Sequence, residues 1–285
     1  MNYELLQPDS LSGAMEALAQ HGDEAKVLAG GTAVVLMLQQ KLIAPTVLVS
    51  IGRVPDLDHI RTEPDGLHIG PLTILRDMER SSVIQRRFPL LAQACGEVGN
   101  VRIRNQATLG GNLAEADYAS DPPTALLALG AQVTATSVRG ARTIPLEDFL
   151  VGFYTTDLEP DELITDIFIP ASTPGSRMTY LKYKSRSSED RPCTGVAAIA
   201  AFGAKTCTDL RVAVGAACEV PQRLPAVESL ARGQALTDEL IGEIAAGYAD
   251  SIETLEDIRG SARYRTQMIR VHVYRALEEL RNGHR

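Results

Sequence analysis

Tryptophan is absent from this chain, and eight tyrosines with five phenylalanines bring the aromatic share to only 5% of 285 residues. Composition therefore offers no platform on which a base or other flat ring would stack. A basic excess is missing too. Against 36 Asp and Glu stand 28 Lys and Arg, a formal net charge of −8, so no surplus of cations exists to neutralise nucleic-acid phosphates. No apolar run approaches the roughly 18 residues of a membrane span. The opening MNYELLQPDSLSGAMEAL lacks the charged-then-apolar order of a secretory leader. These absences lead to the expectation of a soluble, cytoplasmic protein. The four cysteines, Cys95, Cys193, Cys207 and Cys218, form no CxxC pair, and their spacings match neither zinc nor iron–sulfur ligand patterns. They read as scattered buried thiols, and no metal site is expected.

What is present is apolar sequence, 45% of the chain, enough for one large core or two to three smaller ones. Leu11, Ala14, Met15 and Leu18 recur with a helical period behind the capping pair Asp9-Ser10. A strand is expected over 26–29, a helix over 32–42 with Thr32 as its N-cap, and a strand over 47–51. Together they make a βαβ unit whose first turn holds Gly30-Gly31. Further strands are expected over 67–70, 132–138 and 163–169, and helices over 73–78 and 83–98. Either Ser120 or Asp121 can cap a helix with Pro122 in its first turn, and Gly130 stops it. The Pro/Gly-containing stretch ASTPGSRM, 171–178, reads as a domain joint. Beyond it come three strands, 179–183, 196–202 and 210–216, then helices over 237–249 and 262–281. The fold class is α+β.

The second glycine pair lies in Thr108-Leu109-Gly110-Gly111-Asn112. Glycine permits positive φ and lets a ligand approach main-chain N–H groups unhindered by a Cβ. Successive N–H groups in such a turn form a concave anion site, and a helix N-terminus adds positive potential. Two such loops face to face could hold a pyrophosphate, with valine at Gly31 or Gly110 obstructing its approach. Neither pair fits GxGxxG or GxxxxGK[ST], so a plain turn remains the competing reading.

Ala29-Gly30-Gly31-Thr32-Ala33 with the apolar helix behind it, and Val101 to Ala114 with Asp117 and Ser120-Asp121-Pro122-Pro123 after it, appear in an order that resembles a known family. Glu162 to Pro170 and Gly260-Ser261-Ala262-Arg263-Tyr264-Arg265 through Glu278 extend the match over about residues 3–281. The chain resembles the FAD-binding medium subunits of molybdenum hydroxylases, of the carbon monoxide dehydrogenase and xanthine dehydrogenase type. The resemblance implies a two-part FAD-binding domain like that of vanillyl-alcohol oxidase: an N-terminal βαβ subdomain, 1–55, and a central mixed α/β subdomain, 56–172. It adds a C-terminal domain, 178–285, of a three-stranded antiparallel sheet flanked by helices.

By the same resemblance, Ala29, Gly30, Gly31, Thr32, Ala33, Thr108, Leu109, Gly110, Gly111 and Asn112 would offer backbone N–H groups to the pyrophosphate of FAD. Asp121 would accept from ribose or ribityl hydroxyls, Ile164 would pack near the isoalloxazine, and Lys184 would lie near the ring as a cation. The bland readings are an N-cap for Asp121, a core strand residue for Ile164 and a solvated loop for Lys184. Of Arg102 and Arg104, one is expected to support the loop and the other to meet solvent or a partner. No residue is assigned catalysis, and none of the five histidines carries a motif.

The implied role is electron relay. A small subunit with 2Fe-2S clusters would deliver electrons to the FAD, and a large molybdenum-cofactor subunit would oxidise the substrate. A self-contained FAD-dependent oxidoreductase of the same fold, and a non-enzymatic nucleotide-binding assembly subunit, are the alternatives. The chain departs from the family pattern in Thr32-Ala33, where relatives often carry a polar residue then serine. It also lacks an aromatic residue in 187–192, where some relatives cover the flavin.

Overall fold

The computed structural model describes residues 3–187 and 189–283. Ser188, within the stretch without a ring-covering aromatic, and His284 lie outside the described residues.

The N-terminal part is a three-stranded parallel sheet. Strand β1 (Glu4–Leu6), helix α1 (Leu11–His21), β2 (Ala25–Leu28), α2 (Val34–Gln39) and β3 (Val47–Ser50) follow one another, with spatial order β1-β3-β2. Ser10 caps α1 by accepting from the Gly13 N–H at 3.2 Å. The helical period seats Ala14 and Leu18 of α1 against Val47 and Val49 of the central strand, closing a small core. Helix α2 differs from expectation. It begins at Val34, and Ala33 occupies the cap position without a side-chain bond. Gly31 has φ +74 and the chain needs Thr32 and Ala33 to complete the turn, so Thr32 caps nothing.

The central part carries β4 (Ile60–Thr62), β5 (Gly66–Ile69), α3 (Leu75–Arg80), α4 (Ser82–Arg87), α5 (Pro89–Gly96), α6 (Val101–Arg104), α7 (Leu109–Glu115) and α8 (Asp121–Leu129). Then come β6 (Gln132–Ser137), β7 (Gly140–Pro145), α9 (Leu146–Phe149), the small β8 (Leu150–Gly152) and β9 (Thr155–Thr156) ribbon, and β10 (Leu163–Pro170). The main sheet is antiparallel with order β4-β5-β10-β6-β7. Gly130 stops α8 in the left-handed region at φ 70. Ser120 holds the cap position of that helix, and Asp121 is its first helical residue, so the reading of Asp121 as N-cap does not hold.

The C-terminal part is a meander of β11 (Arg177–Tyr183), β12 (Thr194–Phe202), β13 (Cys207–Gly215) and the two-residue β14 (Gln222–Arg223), followed by α10 (Pro225–Glu228), α11 (Asp238–Ser251) and α12 (Ala262–Asn282). The short edge strand makes four strands rather than the expected three. Its two residues are too few to give a period-2 signal in sequence. Both faces of this sheet are buried, which explains the run of small residues in β12. Val196, Ala198 and Ala200 face Ile269, Val273 and Leu277 of α12. The alternate residues Ala197 and Ile199 join the central core with Tyr180. Arg265, fully buried, explains the Gly-Ser-Ala-Arg-Tyr-Arg segment. Its guanidinium gives to the carbonyls of Cys193 and Ala216 at 2.5 and 2.6 Å and to Asp257, tying the start of α12 to the sheet.

Candidate functional site

The two glycine pairs meet. A Cβ built on Gly30 would lie 1.8 Å from the Gln106 carbonyl oxygen and 2.8 Å from its carbon, so the first loop rests directly on backbone just before the second. Across the same seam, a Cβ on Gly111 would come within 3.8 Å of the Ala29 Cβ. The other two glycines serve packing. A Cβ on Gly110 would strike Pro71 at 2.4 Å, and one on Gly31 would touch Leu28 and Val35 at 3.3 and 3.4 Å. Both directions lead into the protein. The expectation that valine at Gly31 or Gly110 would obstruct a ligand's approach is therefore corrected: these glycines shape and pack the loops.

The loops differ in what they have to offer. None of the N–H groups of Ala29, Gly30, Gly31, Thr32 and Ala33 gives to a protein acceptor among the described residues. Half-buried backbone donors of this kind require a partner, and successive unpaired ones converging in a turn suit an anion. In the second segment, Gly110 and Gly111 lie inside the first turn of α7 rather than in an open loop. There Leu109 N–H gives to Thr73 O, Gly110 N–H to Pro71 O and Asn112 N–H to Thr108 O, each at 2.9 Å. Gly111 N–H gives to the Thr108 hydroxyl at 3.1 Å. The amides of Leu109, Gly110, Gly111 and Asn112 thus all give to protein acceptors, in the helix and the adjoining 71–73 turn. Thr108 itself is buried as the cap, and Asn112 accepts from Ser120 through its side-chain oxygen at 2.9 Å.

Asp121 begins α8 and Ile164 lies in β10, the two elements against which α7 packs, while Lys184 follows β11. Asp121 and Lys182 are 3% and 2% exposed at their side chains and bond at 2.9 Å. The other carboxylate oxygen accepts from Tyr180 Oη at 2.6 Å, while Lys182 also gives to Glu97 O at 2.7 Å. Both oxygens of Asp121 are thus engaged inside the protein, by Tyr180 and Lys182. Burial pushes its carboxyl above the usual range, opposed by Lys182 and Tyr180. Burial, reinforced by Asp121, holds the Tyr180 phenol well above its ordinary value. Sequence reasoning passed over Tyr180 and Lys182, since 59 and 61 residues separate them from Asp121 and no local pattern links them. Ile164 is 5% exposed within the central core, which favours its structural reading over a ring contact. Lys184 is partly exposed and pairs with Glu97, so it is neither a free loop residue nor an unpaired cation.

The Arg102–Ile103–Arg104 turn divides as expected. Arg104 gives to Glu79 at 2.9 Å and to the Val98 and Gly99 carbonyls at 3.1 and 3.3 Å, fixing the approach to the second glycine segment. Arg102 is exposed and its side chain has no hydrogen bond or ion pair among the described residues. Arg104→Ala is accordingly expected to lower stability by about 1–3 kcal/mol, because it strands the partly buried Glu79 and two carbonyls. Arg102→Ala should stay within about 0.5 kcal/mol of the parent. Thermal melts of the two variants side by side check this, and equal losses would contradict the division.

Comparisons with known proteins agree along the whole chain. Residues 1–172 match the family described as FAD binding domain in molybdopterin dehydrogenase, and residues 179–280 match the CO dehydrogenase flavoprotein C-terminal domain. Among curated proteins, the 6-hydroxypseudooxynicotine dehydrogenase complex subunit alpha of Paenarthrobacter nicotinovorans is 34% identical, over 97% of this chain and 93% of the relative. The carbon monoxide dehydrogenase medium chain of Hydrogenophaga pseudoflava is 33% identical over 96% of each. A solved carbon monoxide dehydrogenase structure from that organism superposes with a TM-score of 0.94 at 33% identity, covering 98% of this chain and 96% of that one. Quinoline 2-oxidoreductase from Pseudomonas putida 86 gives a TM-score of 0.93 at 26% identity, covering 99% and 98%.

Proposed function

Because the chain belongs to the family of FAD-binding medium subunits of molybdenum hydroxylases, we propose that FAD lies across the seam between its two glycine segments, with the pyrophosphate on the N–H groups of Ala29 to Ala33. The observation that carries this is the run of unpaired donors at 29–33, resting on the backbone at Gln106. A pyrophosphate has the charge and the acceptor oxygens to satisfy them. Thr108, Gly111 and Asn112 form the facing wall, with the exposed Gly111 leaving space that a side chain would take. Leu109 and Gly110 hold that wall to the 71–73 turn. Asp121, through Lys182 and Tyr180, anchors the helix after the wall to the C-terminal sheet.

The chain is an FAD-containing oxidoreductase subunit of a multi-subunit molybdenum hydroxylase. FAD supplies the redox chemistry, and the residues named here bind and orient it. Its partners in this reading are a small 2Fe-2S subunit that donates electrons and a large molybdenum-cofactor subunit that oxidises the substrate. The medium and subunit designations of the relatives support that assembly. The three larger sheets support the division into 1–55, 56–172 and 178–285. Four buried free cysteines suit the reducing cytoplasm, and among the described residues no helix is long and apolar enough to cross a membrane.

The test is purification of the full chain and measurement of its visible spectrum and FAD content. Equimolar FAD, retained or taken up on incubation, is expected. A colourless protein that also fails to take up added FAD would contradict the assignment.

A further inference from the structure

Away from the glycine seam, the β4–β5 hairpin carries a second group of chemistry-bearing side chains. Glu63 N–H gives to Gly66 O at 3.0 Å and Gly66 N–H returns to Glu63 O at 3.3 Å, closing a tight turn around Pro64-Asp65. Arg61 pairs with His68 across the hairpin, so the period of two puts Arg61, Glu63 and His68 on one face. Ligand atoms from Glu63, Asp65 and His68 all lie within 4.8 Å of one another. Glu63 and His68 also line a cleft of about 460 Å³ together with Thr165 and Asp166.

An independent feature concerns the imidazole. His68 Nδ1 lies 2.7 Å from Asp166 Oδ2, and a carboxylate acceptor there requires the proton on Nδ1. The lone pair is thereby left on Nε2, and the Phe168 ring, 4.8 Å from the imidazole centroid, limits its rotation. A carboxylate behind a histidine in this way is the usual support of a metal-bound imidazole. His59 has a different place. Its Nε2 is 3.5 Å from the other Asp166 oxygen, and Arg61 Nη2 approaches its two ring nitrogens at 3.0 and 3.4 Å. With the Arg61 guanidinium giving to Nε2 and the Asp56 carbonyl 3.0 Å from Nδ1, both ring nitrogens of His59 are engaged and it is not a donor to a cation.

We propose that Glu63, Asp65 and His68 form a binding site for a divalent transition-metal ion of the zinc type, with Asp166 orienting the imidazole and the cleft leaving a fourth coordination position open. One imidazole and two carboxylates suit borderline ions such as Zn²⁺ and Co²⁺. They supply too few oxygens for Ca²⁺, which takes six to eight. The carboxylates of Glu63, Asp65 and Asp166 outweigh the single Arg61 cation on this face. The site is independent of the FAD assignment.

The test uses the full FAD-loaded chain, stripped with chelator and titrated with CoCl2 by calorimetry, with absorbance followed to the red of the flavin bands. One equivalent of Co²⁺ is expected, displaced by Zn²⁺. His68→Ala should abolish uptake, and Asp166→Asn should weaken it by roughly 10- to 100-fold. Glu63→Gln, at an exposed turn where folding is not at risk, should weaken it as well. FAD content should be unchanged in every variant, and His21→Ala, remote from the hairpin, should bind as the parent does. No Co²⁺ uptake by the parent, or the same affinity in His68→Ala and Glu63→Gln, would overturn the proposal.

Discussion

Gly30→Val is expected to strip the protein of FAD while leaving its secondary structure intact. The new Cβ would sit 1.8 Å from the Gln106 oxygen, 2.8 Å from the Gln106 carbon and 3.3 Å from the Ala107 Cα. All three are backbone atoms, so no rotamer relieves the overlap. The two segments must separate by more than about 1 Å to reach ordinary contact distances. The donors at 29–33 then no longer face the wall at 108–112. A displacement of that size can cost about 10²-fold in a positioned interaction, so at least a tenfold fall in the flavin-to-protein absorbance ratio is expected. Gly30 belongs to none of the three cores, and far-ultraviolet circular dichroism should be unchanged. Gly52→Ala, whose Cβ would meet nothing within 4 Å, is the matched control and should keep its FAD.

Lys182→Met is expected to produce the largest loss of stability. The substitution removes one half of an ion pair whose side chains are 2% and 3% exposed and leaves the Asp121 carboxylate in an apolar setting. Breaking such a pair from one side costs about 3–5 kcal/mol, because the surviving charge is uncompensated. The double variant Asp121→Asn, Lys182→Met removes that charge too and should recover a large part of the loss. Tyr180→Phe, which deletes one bond to Asp121, should cost less, about 1–3 kcal/mol. Urea titrations of the parent, Asp121→Asn, Lys182→Met, Tyr180→Phe and the double variant measure these differences. Strictly additive losses would contradict a mutually dependent cluster.

Much of the fold was legible because it is periodic. The alternation of β6 and the heptad-like apolar spacing of α1 and α12 are written in consecutive residues. The glycine pairs were legible as positions, but their purpose was not. That a Cβ on Gly30 meets Gln106 while one on Gly110 meets Pro71 depends on segments distant in sequence. The same limit explains Asp121. Its neighbours Ser120 and Pro122 spell a helix start, whereas its actual partners come from β11. The hairpin carboxylates and His68 are close in sequence, but only the β5–β10 register brings Asp166 behind the imidazole. Thr32 failed as a cap because the turn with positive φ at Gly31 places the cap position one residue later, at Ala33.

The central claim is that the first segment, and not the second, supplies the backbone donors for the FAD pyrophosphate. Amide hydrogen exchange, resolved by residue on flavin-depleted protein with and without saturating FAD, tests it directly. The amides of Gly30, Gly31, Thr32 and Ala33 should exchange fast without FAD and slow markedly with it. Those of Leu109 and Gly110, already bonded to Thr73 O and Pro71 O, should be slow in both states. Unchanged exchange at residues 30–33 under saturating FAD, with protection gained at 109–112 instead, would contradict the account.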